Sequence, residues 1–175
     1  VSAPASESSE YRIIYLFLPS RLIWDASVYI GMGRYIASGA EFGLWEFFRP
    51  PLWPLILSGF SYFGFNEIWS AKILVLLLSL ICIYLVYVIG ESLKENAGII
   101  ASVFLAFAMP FAVFSIVPMT EVPSATLLLF SIFLLIKRKY LWAGVVTVLT
   151  FTLRFPLGLM LPVLFTIVCF ENLTN

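Results

Sequence analysis

Ile68-Trp69-Ser70-Ala71-Lys72-Ile73-Leu74-Val75-Leu76-Leu77-Leu78-Ser79-Leu80-Ile81-Cys82-Ile83-Tyr84-Leu85-Val86-Tyr87-Val88-Ile89-Gly90 is an apolar run of 23 residues whose one charge, Lys72, lies near its start. A helix needs about 20 apolar residues to cross about 30 Å of hydrocarbon. This run therefore reads as a transmembrane helix and sets the class of the chain. Of 175 residues, 62% are hydrophobic and 11% are charged, against about half and about a quarter in soluble domains. Mean hydropathy is +1.03. So apolar a chain cannot cover its surface with polar groups, and lipid is its expected solvent.

Toward the C-terminus, Gly98 to Val117 reads as the next span, with Pro110 expected to bend or end it. Glu121 to Ile136 follows a break at Pro118. Tyr140 to Leu153 and Phe155 to Phe170 form a shorter pair, separated by Arg154 and the Phe155-Pro156 break. Toward the N-terminus, Pro51 to Phe65 is apolar almost all round, with Pro51 near a helix start. Its roughly 15 residues are too few to span comfortably. Glu41 to Arg49 is a loop with two acids. Asp25 to Ala40 is amphipathic, with Val28, Met32, Tyr35 and Ile36 recurring at helical spacing. Asp25 or Ser27 can cap its start and Gly39 can end it. Tyr11 to Leu18 is the end of a truncated first span or an interfacial piece. Residues 1–10 are polar and carry no secretory-signal pattern. They read as a disordered leader or remnant, and the membrane module as residues 11–175.

Several chemistries are excluded. There is no histidine, which removes His-ligated zinc, Ser-His-Asp triads and histidine general bases. Cys82 and Cys169 each sit in an apolar run and read as small core hydrophobes. Net charge is zero, so no nucleic-acid partner is expected.

Lysines and arginines in short loops give the orientation. Lys137-Arg138-Lys139 is the strongest basic cluster and reads as cytoplasmic, and Lys94 agrees. Ile68 to Gly90 then runs from outside to inside, and the stretch before it lies outside. This holds if Pro51 to Phe65 lies in the interface; if that segment crosses, Asp25 is inside. The same count puts Pro118-Met119-Thr120-Glu121 and Arg154 on the outer side. Asp25, Arg49, Glu121 and Arg154 thus share one face.

Each of these residues has a bland reading beside a chemical one. Asp25 is a helix cap or a general base, and the two are compatible. Arg49 is an interfacial anchor or a phosphate ligand. Arg154 is a snorkelling helix-end cation or a clamp on phosphate or carboxylate. Glu121 suits a helix N-terminus in any case. Trp24 and Tyr29 fit an aromatic belt. Glu67 and Lys72 look like helix-end charges, and Arg21 and Arg34 have weak claims as phosphate contacts. Asn172-Leu173-Thr174 matches a glycosylation sequon, which falls on the cytoplasmic side and reads as chance. One acid with two arginines suits transfer from a lipid-linked sugar. The carboxylate takes a proton from the attacking hydroxyl, and the arginines stabilise the departing phosphate. A non-catalytic alternative is a transporter half or a lipid-carrier binding subunit. A transporter more naturally places ionisable residues within its long helices; Ile68 to Gly90 carries Lys72 alone and Gly98 to Val117 carries none.

The order of the pieces resembles the GT-C membrane glycosyltransferases, in the glycosyltransferase family 39 branch of protein O-mannosyltransferases and aminoarabinose transferases. Trp24-Asp25-Ala26-Ser27-Val28-Tyr29 is similar to that branch's Asp-Glu-x-x-Tyr start of an outer-loop helix. Arg49-Pro50-Pro51-Leu52-Trp53 is similar to its Lys-Pro-Pro-Leu-Tyr motif, which opens a second outer-loop helix. Phe63-Gly64-Phe65-Asn66-Glu67 precedes the next span, as in relatives. Leu149 to Pro156 is similar to the Leu-Thr-Lys/Arg-Gly-Pro turn between two later helices.

The resemblance covers roughly Arg21 to Phe170. It implies an all-α polytopic membrane bundle with two interfacial helices in the first extracytoplasmic loop. It further implies an inverting transferase that uses a polyprenyl-phosphate-linked sugar and a protein, lipid or glycan acceptor. Asp25 takes the catalytic position, Arg49 and Arg154 face the lipid phosphate, and Glu121 and Tyr29 contact substrate. There are departures. Ala26 replaces the second acid, and Phe48 stands where some relatives have a metal-binding Glu. With no histidine as its partner, no metal or other cofactor is expected. Relatives continue further, so the chain reads as an N-terminal portion.

Overall fold

The computed structural model describes residues 24–163 and 166, and among them the regular elements are all helical. Residues 1–10, Tyr11 to Leu18, Arg21, Cys169, the sequon and most of the run toward Phe170 lie outside the described residues.

α1 (Trp24–Ala37) buries Ala26, Val28, Tyr29, Ile30 and Met32. It closes where Gly39 and Ala40 turn to φ +66° and +75°, and the Ala40 N–H bonds back to the Tyr35 carbonyl at 2.8 Å. α2 (Leu52–Tyr62) follows Pro51 and packs Trp53, Pro54, Leu57 and Ser58 inward. Its backbone comes so near α1 that a Cβ on Gly33 would stand 2.9 Å from Leu57 Cβ. The intervening loop also presses onto α1. Gly43 sits at φ +110°, where a Cβ would fall 2.3 Å from the Gly31 carbonyl oxygen. Only glycine fits both that angle and that space.

α3 (Glu67–Leu93) is the decisive apolar run extended by three residues at its end and one at its start. Asn66 begins it, its side chain accepting from the Ile68 and Trp69 N–H groups at 3.1 Å each. Its 27 residues rise about 40 Å. Just 28% of its most apolar window is buried among the described residues. α4 (Ala97–Phe107) and α5 (Met109–Phe114) are one apolar run broken at Ala108, with Pro110 in the first turn of α5. Proline lacks an N–H, and it pushes preceding backbone out of the helical region. α6 (Glu121–Ile136) and α7 (Tyr140–Leu153) match the sequence reading at both ends. A 3-10 turn, Phe155–Leu159, follows. Among the described residues α3 alone is long and apolar enough to cross a membrane; α4, α6 and α7 are apolar but have 11, 16 and 14 residues.

Two clusters organise the packing. The larger joins α1 and α2 to the start of α3 (Ala71, Val75), the start of α6 (Val122) and the end of α7 (Leu153). The smaller holds Leu134, Ala143 and Val146 at the opposite ends of α6 and α7. Between these helices Ser131 and Thr147 share a buried 2.6 Å hydrogen bond beside the Ala143 carbonyl. Such small hydroxylated residues let apolar helices approach closely. Arg34 and Glu67 form an ion pair between α1 and α3. Lys72, read from sequence as a helix-end charge, is buried, with its ammonium 5.1 Å from the centre of the Trp69 ring.

Gly43→Ala is expected to destabilise the protein by about 2 kcal/mol. Gly144→Ala, in a helix with open space around it, should be neutral or stabilising by about 0.5 kcal/mol. Thermal unfolding of both variants in detergent checks the contrast.

Candidate active site

The larger cluster draws four chain segments to one end of the bundle. The first turn of α1 brings Asp25 and Tyr29, and the loop before α2 brings Glu46, Phe48, Arg49 and Pro50. Met119, Thr120 and Glu121 come from the start of α6. The α7 exit brings Arg154, Phe155 and Pro156. Together they line one cavity of about 360 Å³. Several local devices hold them. Trp53 is fully buried, and its indole N–H donates to the Pro118 carbonyl at 3.3 Å. This fixes the loop ahead of Glu121, whose Pro118, Met119 and Thr120 are themselves buried. Leu153 is buried in the same cluster, so Arg154 follows at a defined height. There the backbone leaves α7 in extended form, φ −153° and ψ 104°.

Asp25 is inside the first turn of α1 and does not cap it. Its Oδ1 accepts from Arg49 Nη2 at 2.7 Å. The Nε of Arg49 donates to Glu46 Oε2, also at 2.7 Å, and the guanidinium lies 5.1 Å over the Tyr29 ring. Burial works against the Arg49 charge, but hydrogen bonds to Glu46, Asp25 and Tyr29 outweigh it and raise its pKa above the ordinary arginine value. Arg49 is therefore a permanent cation. Elsewhere in the lining Arg154 Nη1 pairs with Glu121 Oε1 at 3.2 Å. Among the described residues, Glu121 Oε2 is buried without a hydrogen-bond partner. A buried acceptor left open costs about 1 to 3 kcal/mol, so this oxygen suits a ligand's hydroxyl or other donor.

All five residues singled out from sequence, Asp25, Tyr29, Arg49, Glu121 and Arg154, line this cavity. Arg34 does not line it and pairs with Glu67; Arg21 lies outside the described residues. Glu46 is the member that sequence reasoning missed. Its i, i+3 spacing to Arg49 was the available signal, obscured because Glu41 to Arg49 reads as a plain loop. Phe48, at the position where some relatives are expected to carry a metal-binding Glu, lines the cavity and is 93% exposed.

Trp53→Phe removes the donor to Pro118 and leaves a small void. Stability should fall by about 2 kcal/mol, read as a lowered thermal midpoint. Trp142→Phe, on an exposed face of α7, should change it by less than about 0.5 kcal/mol.

Comparison with known proteins gives a match at the family level. No curated protein and no solved structure gives a significant match. The family model described as dolichyl-phosphate-mannose-protein mannosyltransferase matches residues 48–174, a stretch that begins at the cavity-lining Phe48 and includes α2 to α7. The chain belongs to this dolichyl-phosphate-mannose-protein mannosyltransferase family of GT-C-type glycosyltransferases.

Proposed function

We propose that the protein moves a sugar from a polyprenyl-phosphate carrier to an acceptor hydroxyl at the extracytoplasmic face of a membrane, inverting the anomeric carbon. The observation that carries this is one cavity holding an arginine-bound carboxylate and a second arginine, at one end of an apolar helical bundle. Asp25 is the general base. It takes the proton of the acceptor hydroxyl as the new bond to the anomeric carbon forms. The bond from that carbon to the phosphate oxygen breaks on the opposite side, and its electron pair leaves with the polyprenyl phosphate. One displacement inverts the centre. Arg49 and Arg154 take up the charge developing on the phosphate. The open Oε2 of Glu121 receives a hydroxyl of donor or acceptor. Tyr29 supports Arg49 from below. The family description, with its lipid phosphate and its protein acceptor, supports the donor class and is compatible with a protein among the acceptors.

In the same reading α3 crosses the bilayer, and α4 to α7 form shorter spans beside it. α1 and α2 lie in the outer interface. Phe42, Phe47, Tyr62, Phe63 and Phe65, all mostly exposed around those two helices, supply an aromatic belt. The Lys137-Arg138-Lys139 turn, at the far end of α6 from Glu121, is cytoplasmic.

Asp25→Asn in the intact protein should lower sugar transfer by about 10²- to 10⁴-fold while expression and carrier binding persist; transfer at the normal rate would reduce Asp25 to a structural residue. Arg154→Ala should weaken donor binding by about tenfold, the scale of one charge-assisted hydrogen bond. A radiolabelled-donor assay in membranes reads both.

A further inference from the structure

We infer that the donor is taken up by exchange at Arg49: its phosphate replaces Asp25 on the guanidinium, so the carboxylate becomes free to act as a base once the donor is seated. This rests on the transferase reading above and adds an order of events to it.

The geometry gives Arg49 two carboxylate partners of unequal permanence. Glu46 shares a turn with it: the Arg49 N–H bonds to the Glu46 carbonyl at 3.3 Å, and Nε bonds to the Glu46 carboxylate at 2.7 Å. Trp45, next in the chain, packs against the core and tilts over Tyr35 at 6.0 Å. Glu46 and Arg49 therefore move as one unit. Asp25 belongs to α1, 24 residues away, and holds a different nitrogen, Nη2. The two carboxylates are similarly exposed, 46% for Asp25 and 42% for Glu46, so the local tether of Glu46 is what distinguishes them. Asp25 is the partner that can leave without dismantling the loop.

An entering phosphate needs a cation of its own. Three carboxylates, Asp25, Glu46 and Glu121, face two guanidiniums, Arg49 and Arg154, so the lining carries one net negative charge. A phosphate entering beside an intact Asp25–Arg49 pair meets that surplus. A phosphate that takes Arg49 from Asp25 gains a cation held 5.1 Å over the Tyr29 ring and tethered by Glu46. While bonded to Arg49 at 2.7 Å, Asp25 has a lone pair committed to a charge-assisted bond. Its release supplies the acceptor for the hydroxyl proton.

The test measures binding of a polyprenyl phosphate lacking the sugar to the intact protein in lipid nanodiscs. If the carboxylate competes with phosphate, Asp25→Asn binds the carrier about fivefold tighter than wild type, the scale of one partly exposed ion pair. Asp25→Ser should give the same gain should the asparagine variant fold poorly. Arg49→Gln weakens binding, and the Asp25→Asn, Arg49→Gln double variant loses the gain. Equal or weaker binding by both Asp25 variants, with binding still dependent on Arg49, overturns the exchange and leaves the transferase reading standing. Binding indifferent to Arg49 overturns both.

Discussion

The buried indole of Trp53 is the constraint through which the cavity is assembled. Its ring fills the space where α1, α2 and the ends of α3, α6 and α7 meet, and its N–H secures the Pro118 carbonyl. A loop as deeply buried as residues 118–120 would otherwise carry unmatched backbone groups. The hydrogen bond allows the chain to enter α6 inside the protein, which brings Glu121 to face Arg154 and not solvent. The short helices α1 and α2 are thereby a cover on the bundle end, and the cavity is the seam between cover and bundle.

Polar chemistry in this chain is segregated by purpose. Within the helix pair α6 and α7, hydroxyls satisfy each other or nearby carbonyls and draw the backbones together without charge. At the bundle end every described arginine and carboxylate of the cavity wall is cross-paired, with the buried Oε2 of Glu121 left over. Exposed charge pairs contribute little to stability. Their value here lies in gathering opposed charges inside a confined space, where charge developing on a ligand can be met.

The fold was legible wherever a strong local signal agreed with packing. α6 and α7 are bounded by charges and prolines, and the Pro110 break follows from the missing N–H and the ring's bulk. α2 came out shorter than the apolar run, ending at Tyr62 because Gly64 turns the chain at φ +76°. Asp25, Arg49, Glu121 and Arg154 line one cavity, a gathering that the sequence implied on the condition that Pro51 to Phe65 does not cross the bilayer. Glu46 was not, because an acid in a short loop looks the same whether it meets water or a guanidinium. Lys72 was also opaque. Its position near a helix start suggests exposure, yet tertiary packing covers it and a tryptophan face receives its charge. Glu67 likewise found its partner 33 residues away, beyond any local pattern.

The length of α3 carries a mechanical consequence. Its 27 residues outreach a hydrocarbon layer of about 30 Å by about 10 Å. Tilting absorbs part of such a mismatch, and protein that already shields one tip absorbs the rest. Ala71 and Val75 tie the start of α3 to the cover, and Ser79, Cys82 and Leu85 are buried further along; surplus length at the start would project toward the cover. In a bilayer crossed by α3, that overhang would raise the chamber to headgroup height, letting a lipid's anionic head enter while its tail stays dissolved in the oil below.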